Sequence, residues 1–416
     1  MELTAEERRM AAGEHGEALG IATRIVAEAG RLLGADRLVP VASAHIDGCL
    51  YHGDGGVLFA ERLVAAGGRT AVPATLNVGA LDLLHPGRVR FDAHRAAMAR
   101  RLMDAHLALG CRPTWTCAPY QAGHRPALGE HVAWGESNAV AFANSVLGAR
   151  TNRLGDFLDV SAALCGRAPH VGLHLDANRK AALVVDASGL SPRLVGEETF
   201  WPVLGAWLGA EAGSDVTAVD GLPPGVAEDR LKAMGAAAAS TGAVALFHVV
   251  GSTPEAPTLA AVAGDGPVRR VKLTSAMLRG ARDRLSTAAA DGSIDAVAIG
   301  SPHLSERELA RLAGLVAGRS MRVPFYACVG RGVLETAERR GLLDPVRAAG
   351  ITIVADTCVV VAPVLPRAEG VLMTNSGKFA HYGPANTGHA TVFGSLEDCI
   401  ASAEAGRVLR DEEAWS

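Results

Sequence analysis

Apolar residues recur at helical spacing from the start of the chain. Thr4, with Glu7 three positions later, has the form of a capping box, and the pattern behind it predicts one helix running to about Leu33. Residues 38–44 read as a strand that enters a turn-rich loop over 43–49. A helix over 57–66 and a short strand over 69–75 complete a βαβ-like unit, and 92–109 predicts another amphipathic helix with a basic outer face. From about residue 214 the pattern alternates regularly. It predicts strands over 244–250, 268–273, 294–299, 322–326 and 351–355, and helices over 224–240, 276–290, 305–317 and 334–349. Alternation at this spacing predicts a parallel, doubly wound sheet. Such sheets bind ligands beyond the carboxyl ends of their strands, and here the ends at 251–255, 300–303 and 356–358 are polar.

Composition narrows the class. A chain of 416 residues, 49% hydrophobic, predicts an ordered protein of two or three domains, drawn at 1–210 and 211–416. The net charge of −4, with no Lys/Arg cluster beyond an ordinary helix surface, argues against a nucleic-acid partner. The charged start, Met1 to Arg9, has no apolar run behind it, and no stretch reaches about 18 uncharged apolar residues. Neither a secretory signal nor a membrane span is expected. Seven scattered cysteines without a CxxC pair predict a reducing, cytoplasmic location, while distant loops can still converge on a metal.

Several constellations could carry chemistry, and each has a plainer alternative. Gly53-Asp54-Gly55-Gly56 could cradle an anion or simply turn the chain. Polar and titratable residues are densest over 111–153. Cys117 stands two residues before Pro119, which favours an extended loop, and Cys358 follows a buried strand; each is either a working thiol or an inert core one. Cys111, Cys165, Cys328 and Cys399 read as structural. Lys378 could fix a substrate carboxylate and Ser376 could act as base or hydrogen-bond donor, against the alternative of a solvated helix start. Glu136 is a ligand, an acid/base or a first-turn cap, and Arg153 could grip a carboxylate bidentately. His174 and His248 fall on apolar strand patterns and read as core histidines. Together these features support an α/β enzyme with a small anionic substrate. They allow a thiolate-bound metal and leave the reaction open.

Five segments carry a resemblance: Thr116-Cys117-Ala118-Pro119-Tyr120, the run from Gly135 to Arg153, Gly300-Ser301-Pro302-His303, Asp356-Thr357-Cys358 and Thr374-Asn375-Ser376-Gly377-Lys378. Together they closely resemble the large, catalytic part of aconitase X over nearly the whole chain. The resemblance implies an aconitase-like, multi-layer α/β architecture with parallel doubly wound sheets, and a hydro-lyase that uses iron. Bacterial forms of the family dehydrate cis-3-hydroxy-L-proline to Δ1-pyrroline-2-carboxylate. Archaeal forms dehydrate mevalonate 5-phosphate and hold a [4Fe–4S] cluster by three cysteines. Two of those cysteines match Cys117 and Cys358, and the third falls at Ser301. A hydroxyl is a hard, poor ligand for iron that prefers thiolate. The departure favours the bacterial branch, for which the resemblance implies iron held by two cysteines and a carboxylate, with Glu136 the candidate. The iron could be mononuclear or part of an iron–sulfur cluster.

The resemblance also implies substrate contacts at Gly48, Cys49, Leu50, Asn77, Glu136, Ser137 and Lys378. Ser376 or Lys378 would take the C2 proton while iron acts on the leaving hydroxyl, and Lys378 or Arg153 would neutralise the substrate carboxylate. Some relatives carry a small swivelling β-barrel domain, fused or separate, so a small partner subunit is expected. Two rival readings are a mevalonate 5-phosphate dehydratase, which needs a phosphate pocket, and a non-catalytic subunit with a vestigial metal site.

Overall fold

The apolar runs form short strands, and nearly all of them pair in parallel. The computed structural model describes residues 1–264, 266–289 and 292–415. The first part holds β1 (Leu38–Pro40), β2 (Ala44–Ile46), β3 (Ala74–Leu76), β4 (Ala133–Trp134) and β5 (Arg167–Pro169). The middle holds β6 (Leu183–Asp186), β7 (Thr217–Asp220), β8 (Phe247–Val249) and β9 (Arg269–Lys272). The last part holds β10 (Ala296–Leu304), β11 (Phe325–Val329), β12 (Ile351–Ala355), β13 (Gly370–Thr374) and β14 (His389–Phe393). Three parallel sheets result, ordered β3-β2-β4, β8-β7-β6-β9 and β12-β11-β10-β13-β14, and β1 pairs antiparallel with β5. The expected α/β architecture of parallel, doubly wound sheets is therefore present.

Some helices cover the faces with one apolar stripe, whereas Phe200–Ala212 is buried on nearly all sides. Glu306–Val316 follows β10, is capped by a Ser305/Glu308 box, and buries Leu309, Leu312, Ala313 and Val316. In the third sheet the strand order reverses between β10 and β13, which places a switch point beside their carboxyl ends.

Several expectations change. The single helix to Leu33 is two, Ala5–Ala12 and Glu17–Leu32, because Gly13 takes φ +84 as a left-handed cap. The helix over 334–349 likewise divides into Arg331–Arg339 and Leu343–Ala348. The helix over 276–290 is Ser275–Arg284, and its expected end at Ala290 lies outside the described residues. β10 continues past residue 299, so Ser301 to His303 lie within a strand whose register against β11 shifts between Ile299 and Leu304. Strands β6, β7, β13 and β14 fall outside the predicted set; at four or five residues, periodicity cannot separate them from other buried segments. His174 ends a 3₁₀ turn, Gly172–His174, instead of lying on a strand. The expected domain boundary at 210 falls inside the helix Phe200–Ala212, which connects β6 to β7, neighbours in one sheet. Among the described residues, no helix is long and apolar enough to cross a membrane.

Candidate active site

The carboxyl ends of two sheets meet at one buried ion pair. From the first sheet, β2 leads into Asp47 and Gly48, β3 into Asn77, and β4 into Glu136. From the third, β10 carries Ser301, β12 leads to Cys358, and β13 leads to Ser376 and Lys378. Lys378 Nζ donates to Glu136 Oε1 at 2.5 Å, with the two side chains 10% and 6% exposed.

Each partner is positioned by a helix terminus. Glu136 is extended and caps the helix Ser137–Phe142, its Oε2 accepting from Ala139 N–H at 2.7 Å and from the Asn138 amide. Asn138 Nδ2 also donates to the Cys117 carbonyl at 3.1 Å. Ser376 caps the helix Gly377–Thr387: its Oγ accepts from Phe379 N–H at 3.0 Å and donates to the Ser301 carbonyl. Burial by itself would discharge the Lys378 ammonium, but Glu136 and Cys117 override it and raise its pKa.

A pair of carboxyl groups, Asp47 and Asp159, stands beside this ion pair. Burial, then the neighbouring Glu136, hold the Asp47 carboxyl well above the usual range, against a hydrogen bond from Asn77 Nδ2. Asp159 Oδ2 accepts from Asp47 N–H at 2.6 Å and Gly48 N–H at 3.0 Å, and its Oδ1 accepts from Val160 N–H at 2.6 Å. Burial still pushes Asp159 up to about 7. An acid with a raised pKa binds its proton more tightly folded than unfolded, so these groups make stability fall as pH rises from about 4 to about 7, and no further above that. Buried histidines such as His124 and His303, held below the usual imidazole value, make stability rise over the same window. The expected result is therefore a difference: the melting temperature of Asp159→Asn gains on that of the native chain as pH rises from about 4 to about 7. A profile equally steep in the variant would contradict the assignment.

The two candidate thiols are buried, each 4% exposed. Cys117 Sγ accepts the His303 backbone N–H at 3.4 Å, while burial pushes the thiol up to about 12. Cys358 is held below the ordinary thiol value by a Cys328 S–H donor, with help from Val360 N–H, the Lys378 charge and the Ser301 hydroxyl. The turn that presents Cys358 is strained. Asp356 has φ +61 and is fixed by Arg331, whose Nη2 donates to Oδ2 at 2.8 Å, and by Leu83 N–H at 3.1 Å. The His303 ring links the residue before each thiol: Nδ1 meets Thr116 Oγ1 at 3.0 Å and Nε2–H donates to the Thr357 carbonyl at 3.1 Å.

Other expected residues are placed differently. Cys49 is a core thiol whose S–H is directed at the Ile46 and Asn77 carbonyls, both at 3.4 Å, tying the 46–50 loop to β3. Leu50 packs against Ala80 and Ala99. Ser137 begins its helix and is partly exposed, and Arg153 is exposed on a loop. Asp54 puts its own carboxylate in the first turn of the helix Asp54–Ala65, and it accepts from Tyr51 Oη at 2.8 Å. Sequence reasoning missed Asp47, which lies in a turn-rich loop, and Asp159, to which it assigned nothing, and it missed Cys328 as a partner of Cys358. The signal for Asp47 was its position at a strand end.

Residues 1–177, 181–283 and 294–405 match, in turn, the first, second and third domains of aconitase X. The chain belongs to the aconitase X family. Among aconitase X relatives, the cis-3-hydroxy-L-proline dehydratase of Pseudomonas aeruginosa is 41% identical over 99% of this chain and 72% of its own length. The protein of the same name from Hypocrea jecorina is 39% identical over 97% of this chain and 68% of its own. The phosphomevalonate dehydratase large subunit of Methanothermobacter thermautotrophicus is 38% identical over 93% of this chain and 95% of its own. The holo-form crystal structure of Thermococcus kodakaraensis aconitase X superposes with a TM-score of 0.86 at 34% identity, covering 97% of this chain and 100% of that one.

Proposed function

We propose that this aconitase X dehydrates cis-3-hydroxy-L-proline to Δ1-pyrroline-2-carboxylate, with iron held by Cys117 and Cys358. The observation that carries the choice of substrate is the charge of the site: the Lys378 ammonium faces Glu136, with Asp47 and Asp159 beside it. A zwitterionic imino acid offers a carboxylate to Lys378 and a ring ammonium to the acids. A phosphate dianion calls instead for clustered arginines or lysines, the residues that pair with it bidentately or as point charges. The names of the Pseudomonas and Hypocrea relatives agree with this choice.

The donor set fits iron in part. Two buried thiols, one of them, Cys358, lowered to about 7 chiefly by Cys328, suit a soft-ligand metal, and the Ser301 hydroxyl lies against Cys358. Among the described residues, no three His, Cys, Asp or Glu side chains group closely enough to hold a metal ion, so the fit is to a two-thiolate centre, mononuclear or clustered. Glu136 has Oε1 committed to Lys378 and Oε2 to its helix, which suits a charge partner better than a ligand. Bound there, iron would supply Lewis acidity for departure of the 3-hydroxyl. As the C2 proton passes to a nearby carboxylate, for which Asp47 is the candidate, Lys378, held as ammonium, binds the substrate carboxylate and steadies the charge that develops. That charge state unsuits it as the base. The Ser376 proton is already directed at the Ser301 carbonyl, and its oxygen orients that segment. The same reading puts the enzyme in the cytoplasm, where unpaired thiols persist, and gives it a small partner subunit, in line with the "large subunit" name of the Methanothermobacter relative.

The test is metal and sulfide analysis of anaerobically purified protein, with imine formation from cis-3-hydroxy-L-proline followed with and without the small partner. Iron bound by the native chain and lost in both Cys117→Ala and Cys358→Ala, together with turnover, is the expected result; sulfide content separates mononuclear iron from a cluster. Iron retained in both variants would overturn the thiol assignment. Absence of turnover with the partner present would favour a vestigial subunit.

A further inference from the structure

The two thiols come from different halves of the chain, yet one side chain touches the backbone or hydroxyl next to each of them. We propose that His303 is a positioning residue that sets the separation of Cys117 and Cys358 by bonding to both loops at once.

Every polar group of His303 is committed to this task. Its ring Nδ1 meets Thr116 Oγ1 at 3.0 Å, its Nε2–H donates to the Thr357 carbonyl at 3.1 Å, and its backbone N–H donates to Cys117 Sγ at 3.4 Å. Its own carbonyl accepts from Lys232 Nζ at 3.2 Å, and Lys232 is paired with Glu308 in the helix that follows β10. The residue is fully buried on a strand, so its ring has one orientation to offer. A carbonyl can only accept, so Nε2 carries the proton and Nδ1 accepts from the Thr116 hydroxyl. Thr116 Oγ1 in turn accepts from Ala118 N–H at 3.1 Å, which closes the loop around Cys117. Among the described residues, no other side chain bonds to the residues next to both thiols. Groups that orient metal-binding residues without touching the metal commonly set affinity by about 10–100-fold.

The inference rests on the reading that these thiols hold iron, and its test keeps the two separable. Glutamine reaches where Nε2 lies and asparagine where Nδ1 lies. His303→Gln therefore keeps the Thr357 tie and releases Thr116, and His303→Asn does the reverse. Thr116→Val severs the Thr116 tie from its other end without altering His303, and so serves where a His303 substitution does not give folded protein. Two quantities are measured: ferrous-ion binding by the metal-free protein, and the alkylation rate of each thiol in that protein, mapped by mass spectrometry. Iron binding is expected to weaken by about 10–100-fold in all three variants. Alkylation is expected to speed up at Cys117 in His303→Gln and Thr116→Val, and at Cys358 in His303→Asn. A residue needed only for general packing would raise both rates together, and that result, or native iron binding with native rates, overturns the proposal. If Cys117→Ser and Cys358→Ser bind iron as the native chain does, the iron reading fails, and the selective alkylation pattern still decides whether His303 ties the loops.

Discussion

Lys378→Met is expected to abolish turnover and to destabilise the fold by about 3–5 kcal/mol, because it leaves the Glu136 carboxylate buried with no counter-charge. The same substitution combined with Glu136→Gln is expected to regain most of that stability. A neutral pair of similar size removes the uncompensated charge, and replacing both members of a buried ion pair is often close to neutral. The double variant should remain inactive, since no ammonium is left to receive the substrate carboxylate. Denaturant unfolding of the two singles and the double gives the coupling energy directly. A double variant as unstable as Lys378→Met would show that the lysine acts through packing. Turnover surviving in the double variant would remove Lys378 from the chemistry.

The second large effect is expected at Gly300. A Cβ built there lies 2.3 Å from the Cys328 carbonyl oxygen and 3.0 Å from its nitrogen, and the backbone has φ +88. Gly300→Ala thus pushes β10 away from β11 at the point where their register shifts, and adds roughly 1–2 kcal/mol for a left-handed non-glycine residue. Ser301 follows in the chain and Cys328 lies against Cys358, so displacement reaches both sides of the thiol site. A marked drop in melting temperature together with loss of bound iron is expected. Gly332→Ala is the matched control: it lies in the helix Arg331–Arg339 with nothing within 4 Å of its Cβ, and is expected to be neutral or to gain up to about 1 kcal/mol. Equal melting temperatures for the two variants would contradict the close approach.

The last third of the chain was the most legible part. There β10, β11 and β12 begin as apolar runs and the Ser305/Glu308 box marks the helix after β10, although β13 and β14 were still missed. The early region was harder because β2 and β3 are three residues each, too short for any period, and because Gly13 breaks a helix whose apolar spacing runs on regardless. In the site, Cys117 stood out beside a proline, Cys358 at a polar strand end, and Glu136 and Lys378 near helix starts, while Ser301 stood out individually only through the family resemblance. Asp47 and Asp159 did not, since an Asp in a turn or a first helical turn is ordinary. Cys328 sits mid-strand as any core residue would. The bridging role of His303 exists only once segments near residues 116, 303 and 357 are brought together, and no local pattern encodes that.

The buried pair between Glu136 and Lys378 also orders events during synthesis. Glu136 leaves the ribosome about 240 residues before Lys378, roughly 10–50 s at ordinary elongation rates. Throughout that interval Glu136 and Asp47, beyond the carboxyl ends of the first sheet, and Asp159, in the helix Leu158–Cys165, have no Lys378 ammonium to offset them. Sealing them in would bury bare charge, so they stay hydrated while the nascent chain grows. The ion pair can form only after β13 of the last parallel sheet has been made, because that strand leads to Lys378.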